Sequence, residues 1–171
     1  MKEKIYIIDN LYDNPYEYHR GLKENKSMIT EETIGKISQV LGHPIQVIQS
    51  ENNQIISGVT AHLNCDWIAL IYLSLPFDAF DKFGVKFYSH LETGLETFPT
   101  EKDIIKFKID DKKLLEIFHS NTKLWKQYAN VPAKYNRMVL FKGNLWHSYN
   151  EGDININNFI LEQKLIIQDV R

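Results

Sequence analysis

The chain has 171 residues, 43% of them apolar and 25% charged, with a formal net charge of −2. Those values suit one domain with a real core, and they exclude a disordered, collagen-like or disulfide-framework chain. The near-neutral charge gives no long-range attraction to nucleic acid or anionic membrane, no stretch approaches the ~20 apolar residues of a membrane span, and Cys65 has no second cysteine to pair with, which together point to a reducing cytoplasm.

Ile5–Ile8 is β-branched and aromatic and reads as a short strand. Pro15 suits the first turn of a helix running through Lys23. Thr30 can cap a second helix: Glu31 and Glu32 sit in its first turn, Ile34, Ile37, Val40 and Leu41 form one apolar stripe, and Gly42 with Pro44 ends it. The pattern then turns to strands, at Ile45–Ile48, Gln54–Thr60, Trp67–Leu75 and Val85–Tyr88. The run WIALIYLSL from Trp67 is apolar on both faces, which predicts a central strand covered on each side. Asp110 or Asp111 caps a helix carrying Leu114, Leu115 and Phe118, with Leu124 and Trp125 just beyond. Tyr135–Phe141, Leu145–Tyr149 and Phe159–Ile167 read as strands, with Lys142, Gly143 and Asn144 as a tight turn between the first two. No repeat or linker interrupts the chain, so 1–171 is read as one domain: 1–58 gives supporting helices and first strands, 59–171 the core. The expected class is α+β, a sandwich or barrel of antiparallel strands backed by helices.

Six histidines are present: His19, His43, His62, His90, His119 and His147. A histidine at a strand edge is ordinarily a hydrogen-bonded structural residue, and that reading suits His19, His43 and His119. His62, in TAHLNCDW before the most apolar strand, and His147, in GNLWHSY after the tight turn, stand apart. Two imidazoles from strands distant in sequence, with a carboxyl or carboxamide nearby, form the donor set of a facial iron site. By spacing alone, a structural role for both is equally open. No Gly-rich phosphate loop, Gly-x-Ser-x-Gly elbow or Cys-x-x-Cys pair occurs, so nucleotide hydrolysis, serine hydrolysis and structural zinc have no motif.

Taken in order, TAHLNCDWIALIYLS, GVKFYSHLETG and YNRMVLFKGNLWHS resemble the 2-oxoglutarate/iron(II)-dependent dioxygenase superfamily, and within it the prolyl-hydroxylase-like branch of small bacterial and phage proteins. The resemblance covers roughly Val59 to Ile167. It implies a double-stranded β-helix (jelly roll) backed by the N-terminal helices, with Fe(II) and 2-oxoglutarate as cofactors. Carried across position by position, it makes His62 the first metal histidine and His147 the second. The carboxylate position falls on Asn64. A carboxamide oxygen can coordinate iron but gives up the negative charge that helps hold a divalent cation. Asp66 is the alternative ligand, at a spacing the family does not use. The basic anchor for 2-oxoglutarate falls near Ile160, which cannot serve. Lys164, four residues along and on the same strand face, and Arg137 are the two candidates, because a basic group forms a charge-assisted pair with a carboxylate. Tyr72 matches a tyrosine position near the cosubstrate. Phe87–Pro99 resembles a loop bordering the active site, which gives His90 a substrate contact, with Lys86 and Tyr88 also lining the pocket.

Two readings follow. The first is an Fe(II)- and 2-oxoglutarate-dependent oxygenase that hydroxylates a small molecule or a peptide side chain, with no nucleic acid or membrane as partner. The second is a jelly roll that has lost the metal carboxylate and the cosubstrate anchor and acts as a binding module. A viral assembly jelly roll is a third, and it leaves both histidine motifs as coincidence.

Overall fold

A computed structural model describes residues 4–24, 29–52, 56–74, 83–118, 122–149 and 162–170. In chain order the elements are β1 (Ile5–Asp9), α1 (Pro15–Lys23), α2 (Glu31–Leu41), β2 (Ile45–Asn52), β3 (Ile56–Thr60), β4 (Trp67–Tyr72) and β5 (Gly84–His90). They continue through α3 (Glu101–Phe107), α4 (Asp111–Phe118), β6 (Trp125–Pro132), β7 (Arg137–Lys142), β8 (His147–Tyr149) and β9 (Glu162–Asp169). The strands form a 5-stranded sheet in the order β1-β7-β4-β9-β2 and a 4-stranded sheet in the order β3-β8-β5-β6. All the pairings are antiparallel. Strands taken alternately from along the chain thus interleave in two facing sheets, which is the expected α+β jelly roll with helices in support.

The period of two along each strand builds three apolar layers. Ile68, Leu70 and Tyr72 of β4 point between the sheets, where they meet Val85, Phe87, Val139, Phe141, Tyr149 and Ile166. Trp67, Ala69 and Ile71 point the other way, onto Leu22 of α1 and Ile37 of α2. That double coverage explains why this strand is apolar on both faces. The third layer, Trp125, Trp146, Ile109 and Ile117, covers the outer face of the smaller sheet beneath α3 and α4.

The helix ends follow local chemistry. Thr33 N–H donates to the Thr30 hydroxyl at 3.2 Å, and Gly42 closes α2 in a left-handed conformation at φ 75°. Lys113 N–H donates to Asp110 Oδ1 at 2.8 Å, which makes Asp110 the cap of α4. Two elements had not been expected, α3, opened by a Thr100–Asp103 capping box, and β6, which begins at Trp125. The strand expected over Ile45–Ile48 continues as β2 to Asn52, and Tyr135 and Asn136 form a turn ahead of β7. Asn136 sits at φ 61° and clamps the N-terminal segment: its Oδ1 accepts from Tyr12 N–H at 2.9 Å and its Nδ2 donates to Tyr12 O at 2.8 Å. Gln54, Leu75, His119 and Ile160 lie outside the described residues. Among the described residues, no helix is long and apolar enough to cross a membrane.

Candidate functional site

His62 follows β3 on a short loop, and a second loop fixes its backbone. His62 N–H donates to Gly143 O at 2.8 Å, while Gly143 N–H donates to Asp66 O at 3.1 Å. The tight turn of the second motif therefore holds the loop of the first. His147 opens β8 and lies opposite Phe87 of β5, so its ring enters the space between the sheets. The two imidazoles stack with centroids 5.6 Å apart and planes at 22°. Phe141 packs edge-on to His147 at 4.9 Å, and Tyr149 stacks on its other side at 5.8 Å.

The chemistry of these rings is set by where their hydrogens go. The Nδ1 of the fully buried His147 lies 2.8 Å from the Leu145 carbonyl, which can only accept, so Nδ1 carries the proton and Nε2 presents its lone pair. That Nε2 and the Nε2 of His62 are both buried with no hydrogen-bond partner among the described residues. Burial, opposed by the bond to Leu145 and reinforced by the fields of His62 and Lys164, holds the His147 pKa down at about 3. His62 is shifted the same way, first by burial and then by Lys164, with Glu51 opposing. Both rings are therefore neutral at physiological pH, the form that binds a metal ion.

A cavity of about 300 Å³ opens beside His62, lined by Glu51, Asn64, Cys65, Lys164 and Ile166 together with Ile48 and Gln49. Lys164 and Ile166 lie on the same face of β9, directed between the sheets. The Lys164 side chain is only 4% exposed; its Nζ is 2.8 Å from Glu51 Oε2 and lies 5.8 Å over the Tyr149 ring. Glu51 is its direct cross-strand neighbour on β2. The Tyr72 and Tyr149 hydroxyls are buried without a hydrogen-bond partner among the described residues. Burial, with Glu162 adding to it, raises the pKa of both, so both are protonated donors. A second cavity, of about 460 Å³, lies on another side of His62 and is lined by Leu63, Asp66, Phe98, Thr100, Lys142 and Asn144 among others. Cys65 borders both cavities, and burial pushes its thiol up to about 11, so it is an inert filler.

The expected site residues thus fall into two groups. His62, His147, Lys164 and Asn64 gather around one region, Asn64 as an exposed residue at the cavity rim. The other group needs correction. Arg137 is held by Asp9, with Nε at 2.7 Å and an η-nitrogen at 3.0 Å, and its other η-nitrogen donates to Pro132 O at 2.9 Å; it ties β7 to β1 and lines neither cavity. His90 is not on a loop at the site. It ends β5, buried on the outer face of the smaller sheet, with its ring 5.3 Å from Trp125 and Nδ1 3.1 Å from the Thr93 hydroxyl. Tyr88 shares that outer face, packed in the same layer as Trp125 and Trp146. Asp66 lines the second cavity, but its Oδ2 accepts from Asp169 N–H at 3.0 Å, so this oxygen is used in holding the end of β9. Among the described residues, no group of three or more His, Cys, Asp and Glu side chains can hold a metal ion.

His19 and His43 have structural partners, Leu73 O for the first and Leu41 O with Asp169 for the second. Glu51, Tyr149 and Glu162 were not foreseen as site residues. Glu162 had a signal available, since it lies two residues before Lys164 and therefore on the same face of the strand.

The family model described as a family of unknown function (DUF6445) matches residues 57–160, the stretch that holds both histidine motifs. The chain belongs to that family. No curated protein sequence matches this DUF6445 member. Among solved structures it is similar to SnoN, a non-heme alpha-ketoglutarate-dependent epimerase from nogalamycin biosynthesis, at 10% identity and a TM-score of 0.57, over 98% of this chain and 79% of that one. HygX from Streptomyces hygroscopicus, solved with iron bound, matches 98% of this chain and 83% of its own at 11% identity and a TM-score of 0.47. At such identity the likeness to SnoN is one of fold alone: this DUF6445 chain shares its jelly roll.

Proposed function

We propose that this protein is an Fe(II)- and 2-oxoglutarate-dependent oxygenase, built on one domain over 1–171, that hydroxylates a small molecule or a peptide side chain. The observation that carries the reading is the pair of neutral imidazoles, His147 buried and His62 half-buried, whose buried Nε2 atoms have no hydrogen-bond partner among the described residues, side by side with a buried lysine. Burying a polar atom without a hydrogen bond is costly, and a metal-binding role accounts for two such atoms at once. Imidazole nitrogen suits iron, and the donor set fits a two-histidine site with Asn64, a carboxamide at the cavity rim, as the third protein ligand.

Iron and 2-oxoglutarate, when bound, would supply the oxidising power with dioxygen as the oxidant, one oxygen atom going to the succinate formed with loss of carbon dioxide and the other to a substrate C–H. The chain's own residues do the rest. The Leu145 carbonyl fixes the His147 tautomer and so keeps Nε2 available. Lys164 offers a charge-assisted hydrogen bond to the distal carboxylate of the cosubstrate, and the Tyr149 and Tyr72 hydroxyls are donors on the same inner face. Phe87, Phe141 and Ile166 keep water from the rings. The larger cavity, with Leu63 and Phe98 beside Lys142 and Asn144, receives the substrate group next to His62.

Anaerobic calorimetry tests this on metal-stripped protein titrated with manganese(II) and then with 2-oxoglutarate. The proposal expects 2-oxoglutarate to bind only after the metal. The competing reading, a jelly-roll binding module, is favoured by the absent carboxylate at Asn64 and by the neutralisation of Lys164 by Glu51. It expects no 2-oxoglutarate binding even with metal saturating, and that result would overturn the oxygenase assignment.

A further inference from the structure

The Lys164 ammonium is almost wholly buried, and a charge in that position needs a counter-charge. Among the described residues Glu51 supplies a counter-charge, its Oε2 2.8 Å away and its side chain 23% exposed. The two partners are thus held unequally. Lys164 projects from β9, which is paired on both sides, by β4 and β2. Glu51 projects from β2, the outermost strand of the larger sheet, and close to its end, since β2 stops at Asn52. The other Glu51 oxygen, Oε1, accepts from Gln49 Nε2 at 2.6 Å, and Gln49 also lines the cavity. A carboxylate beside Lys164 can therefore turn toward solvent without breaking a packed layer, keeping Gln49 as a partner. The lysine has no such freedom.

We propose that Glu51 is an exchangeable placeholder in an anion site at Lys164: an incoming ligand carboxylate takes its place on the ammonium, and Glu51 moves out to the cavity rim. This rests on the reading of Lys164 as the cosubstrate anchor and adds to it a residue that sets affinity and ligand class. Because the pair is already satisfied, a ligand gains only the difference between its own carboxylate and that of Glu51. A neutral ligand gains nothing and cannot displace it. A carboxylate-bearing ligand that leaves Glu51 in place meets like-charge repulsion, so binding and Glu51 displacement are coupled.

The test is calorimetry of 2-oxoglutarate into the manganese(II)-loaded protein, comparing wild type, Glu51→Gln, Glu51→Asp and Lys164→Met, with circular dichroism to confirm that each is folded. The expected result is at least ~10-fold tighter binding for Glu51→Gln, about 1.4 kcal/mol, and a smaller gain for Glu51→Asp, whose shorter carboxylate retreats from the ammonium. Lys164→Met should lose binding, and adding Glu51→Gln to it should not restore it. Unchanged or weaker binding in both Glu51 variants, with Lys164→Met still inactive in binding, would overturn the placeholder while leaving the anchor standing. Lys164→Met binding as well as wild type would instead remove the anchor and the placeholder together.

Discussion

Gly143 and Cys65 share a space that holds only one side chain. A Cβ built on Gly143 would stand 2.6 Å from the Cys65 Sγ, and 2.9 and 3.0 Å from the carbonyl oxygens of Cys65 and His62. The glycine is thus required by close approach, and what approaches is the loop that carries the first histidine. Gly143→Ala should destabilise the protein by about 1–3 kcal/mol through overpacking, read from chemical denaturation. It should also weaken manganese(II) binding, because the displaced atoms include the His62 carbonyl. Adding Cys65→Ala should recover only part of the loss, since two of the three close atoms belong to the backbone. Full recovery would mean that the thiol alone sets the requirement.

Asn64 stands where the resemblance calls for a carboxylate, at the rim of the cavity that His62 and Lys164 line. Asn64→Asp adds one negative charge without changing shape. If this position faces the ion, manganese(II) affinity should rise on the order of 10-fold. Equal affinities for the variant and the wild type would show that residue 64 lies outside the coordination sphere.

Asp9 is the reason Arg137 is unavailable to a ligand, and the pair leaves a signature in acid. The hydrogen bond from Arg137 holds the Asp9 carboxyl at about 2, below its ordinary 3.8, aided by Lys134 and opposed by partial burial. A lowered folded-state value means that the stabilisation is complete above pH 3.8 and is lost as pH falls through about 2. The Asp9 side chain is 37% exposed, so solvent screening leaves about 1 kcal/mol. Asp9→Asn should therefore lower stability at neutral pH by that amount and flatten the acid limb of the stability profile. An unchanged acid limb would place the acid sensitivity elsewhere.

Asn136 couples a left-handed backbone to two hydrogen bonds with Tyr12. Asn136→Ala loses both bonds and keeps the strain, and should cost about 2–3 kcal/mol by denaturant titration. Asn136→Gly relieves the backbone but not the bonds, so it should fall between the two. If glycine equals the wild type, the two side-chain bonds contribute no more than the backbone strain that glycine relieves.

How much of this was legible in the residues depended on how local each cause was. The limits of α1 and α2 follow from Pro15, Thr30 and Gly42 within a few positions of the chain, and they were readable. So was β4, whose burial on both faces is written in its composition. The helix α3 is hard to read because it is a single short element of seven residues, with no fully buried residue and only Ile104 and Phe107 packed partly against the third layer. The strand β6 was hidden by its irregular burial and by the register shift opposite Phe87 and Tyr88. Period two sufficed to put Lys164 on the inner face. The partners that decide roles were not readable: Asp9 meets Arg137 across 128 positions and Glu51 meets Lys164 across 113, distances over which no pattern in one sequence pairs them. The β-branched pattern at Ile45–Ile48 also ends short of Glu51, so the sequence does not place that carboxylate on a strand, although β2 runs to Asn52.

The pairing of β1 with β7 has a temporal consequence. Ile5 lies opposite Phe141 and Asp9 opposite Arg137, so β1 is synthesised long before β7, the strand it pairs with among the described residues. The central strand β4 waits as well, since β7 and β9 flank it on its two sides and both follow it by many residues. A nascent chain that stops short of β7 therefore carries the most apolar segment of the protein with neither edge covered. Pairing of β4 is in this sense a late event, paced by synthesis of β7 and β9, and until then its edges are open to pairing with its own kind.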